Sequence, residues 1–80
     1  MEGGNMEKEI IEVIAPMSLL DVDEITENDL FSDIGVDSLK LVEIIMNLED
    51  RFNITFADFE LNPENLTTVK SVIALVKRYL

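Results

Sequence analysis

The residues best placed for chemistry are Asp37 and Ser38, which follow Gly35-Val36 at the start of a helix-forming stretch. Asp and Ser are both good helix N-caps, and capping is the ordinary reason to find a serine at such a place. The position has a chemical alternative. Free backbone N–H groups and the positive end of the helix dipole favour negative charge, so a hydroxyl there is well suited to carry a phosphodiester. Gly35 lets the chain turn closely and leaves the hydroxyl at an exposed loop–helix junction. Ser38 cannot act alone, because the chain has no His to serve as base and no Gly-x-Ser-x-Gly elbow. Any reaction at this oxygen must be driven by another enzyme.

The absence of His and Cys removes other chemistries as well. Disulfides, thiolate metal sites, Cys–His pairs and Ser–His–Asp triads are all excluded. Asp21-x-Asp23 has the opening of a calcium loop, but Ile25 and Ser32 occupy ligand positions, so no metal site is expected. With no general base, metal cluster or nucleotide loop, no catalytic residues are assigned and the chain is not expected to be an enzyme.

The element that positions Ser38 is a helix expected from about Ser38 to Phe52, with Asn53 suited to the left-handed conformation at its end. At 100° per residue its apolar side chains fall into two sectors. Leu41, Ile44, Ile45, Leu48 and Phe52 share an arc of roughly 100°, wide enough to face a core. Leu39, Val42 and Met46 form a second, narrower strip, bordered by Glu49 on one side and by Glu43 and Asp50 on the other. This strip admits two roles: a partner face, with carboxylates steering a basic surface onto an apolar patch, or further core under a covering loop.

Around that helix the pattern is all-α. Met6, Ile10, Ile11, Val13 and Ile14 are spaced for a first helix from Met6 to about Ala15, which Pro16 should stop. Residues 17 to 36 show no sustained period and read as a long loop pinned by its own hydrophobics. Asn62-Pro63 signals a short helix of about one turn. Thr67 and Thr68 open a final helix carrying Val69, Val72, Ile73, Val76 and Leu80, with Lys77 and Arg78 near its negative end. No segment alternates as a strand would. The expectation is a small four-helix bundle, three main helices plus one short one, over residues 6–80. Residues 1–5 read as a flexible leader.

Eighty residues are enough for one domain with a thin core. The composition, 48% hydrophobic and 29% charged, is that of a folding chain rather than a disordered acidic tail. Acidic residues outnumber basic ones 17 to 6, and all nine ionisable side chains from Glu9 to Asp37 are acidic. A net charge of -11 repels nucleic acid and anionic lipid and favours basic protein patches. No run reaches membrane-spanning length and no signal peptide is visible, so a cytoplasmic monomer is expected.

Asp33-Ile34-Gly35-Val36-Asp37-Ser38-Leu39, preceded by Leu30-Phe31, resembles the attachment motif of acyl carrier proteins. The resemblance runs through the acidic second helix to Thr67-Thr68-Val69 and covers residues 6 to 80. It implies that Ser38 receives phosphopantetheine from coenzyme A through a separate phosphopantetheinyl transferase. Asp37 would then contact that transferase and its magnesium ion. Leu39, Val42, Glu43, Met46, Glu49 and Asp50 would form the recognition face for acyl-transferring, condensing or ligating enzymes with basic docking patches. The cargo would ride as a thioester in fatty-acid, polyketide or related biosynthesis, and the second helix would border a cavity for it. Lys40 departs from the family, which more often has an acidic or polar residue there. Phe59-Glu60-Leu61-Asn62 makes the segment before the last helix slightly longer than usual. Two alternatives stand beside this reading: a carrier of an aminoacyl or D-alanyl group, and an unmodified acidic adaptor that binds a basic partner through the second helix.

Overall fold

The computed structural model describes residues 5–80, with the side chain of Asn5 excepted. Of the expected leader, residues 1–4 lie outside the described part, and the Asn5 backbone already belongs to the first helix. That helix, α1, spans Asn5–Ile14 and buries Ile10, Val13 and Ile14. Pro16 does not end it abruptly. The chain tightens into a 3-10 turn at Ala15–Met17, with the proline at an early position where the missing N–H costs nothing.

The connection from α1 to the second helix is better ordered than its sequence implies. Short 3-10 turns form at Val22–Glu24 and Phe31–Ile34. Ile25, Phe31, Ile34 and Val36 bury their side chains and anchor the connection to the core. Its backbone is also tied to residues far along the chain. Phe31 N–H donates to Thr67 O at 2.9 Å, Val69 N–H to Asp29 O at 3.0 Å, and Lys70 N–H to Glu27 O at 2.9 Å. Leu30 and Thr68 form an isolated antiparallel bridge within this stitching. Gly35 closes the segment in the left-handed region, at φ 83°.

Helix α2 spans Ser38–Phe52 and α3 spans Val69–Arg78. Asn53 ends α2 at φ 56°, the left-handed stop its sequence predicts. The fully buried side chains are Ile10 and Ile14 of α1, Ile44 and Leu48 of α2, and Val69, Val72 and Val76 of α3. Burying one such side chain contributes about 1.5–3 kcal/mol, so the core holds all three helices together. Arg51 of α2 reaches Glu12 at 3.1 Å and Glu9 at 3.5 Å, and Lys77 of α3 reaches Glu7 at 2.7 Å. These exposed pairs add little each, about 0–1 kcal/mol.

The short fourth element is a 3-10 turn at Asp58–Glu60, earlier than the Asn62-Pro63 signal suggests. Asn62 still acts as a cap, its side chain accepting the Glu64 N–H at 2.9 Å, but only a turn forms after it. The turn cannot lengthen, because Thr67 is committed to the stitching with Phe31 and Thr68 caps α3. The architecture is all-α, and no strand forms among the described residues.

Candidate functional site

At the leading end of α2 the capping role falls to Asp37. Its Oδ1 accepts the Lys40 N–H at 2.9 Å, and its carbonyl accepts the Leu41 N–H at 2.9 Å. Ser38 is exposed, and no hydrogen bond found among the described residues uses its hydroxyl. None uses the N–H of Ser38 or of Leu39 either.

The leading end of α3 makes an instructive contrast. There the Val69 and Lys70 N–H groups are taken by Asp29 and Glu27 carbonyls, and Thr68 Oγ1 accepts the Ser71 N–H at 3.1 Å. Unused first-turn donors and the dipole of a four-turn helix favour an anion. The fold keeps that end of α2 open and closes the same end of α3. The Ser38 hydroxyl thus sits, uncommitted, beside donors suited to a phosphodiester.

The two apolar sectors of α2 separate as their spacing predicts. Leu41, Ile44, Ile45 and Leu48 are buried, whereas Leu39, Val42 and Met46 are 77%, 54% and 58% exposed. The narrow strip therefore lies on the surface and not beneath the long connection. Glu43 and Asp50, at its border, are both exposed, as is Lys40. Glu49 stands apart. It is half-buried, and its Oε2 accepts the Phe56 N–H at 3.0 Å.

Between the two sectors runs a third stripe, whose residues the sequence reading does not single out as a group although the resemblance implies a cavity along this helix. Ser38, Leu41, Val42, Ile45, Met46 and Glu49 line one side of a cavity of about 280 Å³. These positions follow helical i, i+3, i+4 spacing, so the groove extends along α2 from Ser38 for roughly 16 Å, at 1.5 Å per residue. Phe56, Leu61 and Leu66 supply apolar side chains on the other side. Its sequence signal lies where the two sectors adjoin, at Leu41–Val42 and Ile45–Met46, but its depth depends on a wall contributed from residues 55–66.

That wall carries a cluster absent from the sequence expectations. Ala57 N–H donates to the Tyr79 hydroxyl at 2.8 Å, and that hydroxyl donates to Glu60. Arg78 reaches the other Glu60 oxygen at 2.5 Å. The Glu60 carboxylate pushes the Tyr79 phenol above its ordinary value, an effect that the Ala57 N–H partly offsets. The Tyr79 ring also packs edge-on against Phe56, with centroids 5.0 Å apart.

Comparison with known proteins gives this geometry a family. Residues 8–77 match the family described as phosphopantetheine attachment site. The chain belongs to the phosphopantetheine-attachment family of acyl carrier proteins. The acyl carrier protein of Buchnera aphidicola subsp. Baizongia pistaciae is 43% identical over 77 residues, covering 95% of this chain and 96% of that protein. The D-alanyl carrier protein of Streptococcus suis is 34% identical over 70 residues, covering 88% of this chain and 89% of its own. Among solved structures, a carrier protein from Agrobacterium tumefaciens matches with a TM-score of 0.81 at 27% identity, covering 91% of this chain and 97% of that one. It was solved with an engineered glycine:[carrier protein] ligase of Bradyrhizobium japonicum and ATP.

Family membership brings a covalently attached phosphopantetheine group, and the open leading end of α2 fits the phosphate of such an arm. Carriers of this family are in general non-catalytic and work with partner enzymes such as ligases. No helix among the described residues is long and apolar enough to cross a membrane, and no group of three or more acidic, His or Cys side chains among them could hold a metal ion.

Proposed function

We propose that this carrier holds its phosphopantetheine arm on Ser38 and shelters an acyl cargo in the groove beside α2. The observation that carries the reading is the division of labour at residues 37 and 38. Asp37 caps the helix, and the adjacent hydroxyl is exposed and, among the described residues, without a hydrogen-bond partner, as are the N–H groups of Ser38 and Leu39. When attached, the arm supplies a thiol that holds cargo as a thioester. The reacting chemistry belongs to enzymes that act on it.

The chain's own residues bind, orient and present. The first-turn N–H groups favour the phosphodiester, and Asp37 stands next to the attachment oxygen, where a transferase and its magnesium ion would approach. Leu39, Val42 and Met46 form a docking strip, with Glu43 and Asp50 as accessible carboxylates and Glu49 at the groove edge. Carboxylates steer a basic partner, and exposed apolar groups give modest, reversible affinity. Such partners are a phosphopantetheinyl transferase and the acyl-transferring, condensing or ligating enzymes of fatty-acid, polyketide or related biosynthesis. No catalytic step is assigned to this chain. A cytoplasmic monomer suits the role, since coenzyme A and those enzymes must be met in solution.

The apolar groove favours an acyl group over an aminoacyl or D-alanyl one, because an ammonium group gains nothing among Leu41, Ile45, Phe56 and Leu66. The purified chain, incubated with coenzyme A, magnesium and a broad-specificity transferase, should gain the mass of one arm. Ser38→Ala should gain none. No gain on the wild-type chain, or an equal gain on the variant, overturns the reading.

A further inference from the structure

The groove wall opposite α2 is held in an unusual way. Between residues 54 and 61, the backbone hydrogen bonds are local: Ile54 N–H to Glu49 O, Glu60 N–H to Ala57 O, and Leu61 N–H to Asp58 O. Side chains from elsewhere fix the segment instead. Glu49 of α2 takes the Phe56 N–H. The end of α3 supplies the rest, through Tyr79 on Ala57 and Glu60 and through Arg78 on Glu60. Both Glu60 oxygens are engaged, and its side chain is only 14% exposed, so it is a committed carboxylate rather than a solvated one. The gripped residues, Ala57 and Glu60, alternate along the chain with Phe56, Asp58 and Leu61, which line the groove.

We propose that Glu60, Tyr79 and Arg78 form a clamp that sets how far this wall stands from α2 and thereby limits the length of cargo the groove shelters. The proposal rests on the reading that cargo from Ser38 occupies the groove. The clamp residues touch neither the attachment oxygen nor the groove interior, so they are positioning residues that select cargo through Phe56 and Leu61. The physical basis is leverage. A segment with few backbone bonds to the rest of the fold moves when one or two side-chain bonds are lost, and an apolar groove widened by that motion admits a longer chain.

The test uses Tyr79→Phe, which keeps the edge-on ring and deletes only the hydroxyl, and Glu60→Gln, which keeps the side-chain shape and deletes the charge. Thr68→Ala, at the α3 cap, serves as a destabilised control that leaves the wall untouched. On the unmodified proteins, amide hydrogen exchange at Phe56 and Ala57 should quicken roughly three- to tenfold in the two clamp variants, the equilibrium weight of one side-chain hydrogen bond, and not in the control. Each protein is then loaded by a broad-specificity transferase from acyl-coenzyme A donors of increasing length. Hydroxylamine, which cleaves the thioester to a hydroxamate and a free thiol, reports shelter as slowed cleavage. The wild type should be best protected at one chain length, and both clamp variants should shift that optimum to longer chains. An optimum unmoved in both variants overturns the clamp alone. A wild-type profile independent of length overturns the sheltering reading and the clamp with it.

Discussion

Asp37 has one role in the fold and a second in the proposed function, and a single pair of substitutions pulls them apart. In the fold it caps α2 by accepting the Lys40 N–H at 2.9 Å, and in the proposed function it meets the transferase and its magnesium ion. Asp37→Ala removes both. Loss of an N-cap costs about 1 kcal/mol, in a range of 0.5–2, and for a domain of this size each kcal/mol lowers the melting temperature by roughly 4–8 °C. Asp37→Asn keeps an acceptor oxygen of equal capping quality and deletes only the charge. The lost charge–dipole attraction is about 0.3–1 kcal/mol, and relief of self-repulsion in a chain of net charge -11 opposes it. The Asn variant should therefore melt within a few degrees of wild type, by the same scaling. Transfer of the arm should slow in both. A charge-assisted contact is worth about 1.5–3 kcal/mol, which is roughly a ten- to hundredfold loss of rate. Thermal melts followed by circular dichroism and initial transfer rates followed by mass spectrometry measure the two effects separately. An Asn variant loaded at the wild-type rate would confine Asp37 to capping. An Ala variant with an unchanged melt would refute the capping energetics.

Other substitutions probe the remaining elements. Met46→Ala, on the exposed strip, should change stability by no more than about 0.5 kcal/mol while weakening acyl transfer by a partner enzyme. Leu48→Ala, at 0% exposure, should cost about 2–5 kcal/mol in a chemical denaturation curve. Gly35→Ala should be destabilising by at least about 1–2 kcal/mol, the cost of a left-handed non-glycine residue, because φ is 83° and the added methyl would lie 2.6 Å from Leu19 Cγ. The Tyr79 phenol is raised in the folded state, chiefly by its hydrogen bond to Glu60. Its contribution is thus fully present below the ordinary phenol value and lost as pH rises through the folded one. Melts from neutral to strongly alkaline pH should show that loss in the wild type, and Tyr79→Phe should lack that component.

Local chemistry made parts of this fold legible from sequence. The bounds of α2 follow from Asp37 and Asn53, because caps act within a few residues of themselves. The placing of Leu48 and Met46 in separate sectors follows from a fixed helical period, whereas the exposure of the Met46 strip shows only in the structure. Pro16 misled only in degree, since a 3-10 turn accepts the residue that an α-helix interior rejects. What stayed hidden depends on partners distant in the chain. The stitching of Asp29 and Phe31 to Val69 and Thr67 gives the long connection its order. The Asn62-Pro63 signal is real, yet the committed backbone of Thr67 and Thr68 leaves it only a turn. Glu60 looks like any surface acid until Arg78 and Tyr79 are brought to it, and the groove needs that wall before it has depth.

The same distinction governs the proposed attachment site. Either Asp37 or Ser38 could have capped α2, and sequence alone left both open. If Asp37 is the cap and Ser38 the free hydroxyl, intact-mass measurement after incubation with coenzyme A, magnesium and a broad-specificity transferase should find one added arm. Fragmentation should place it on Ser38, and Ser38→Ala should stay at its starting mass. An arm found on another residue, or none on a properly folded wild-type chain, would contradict the account.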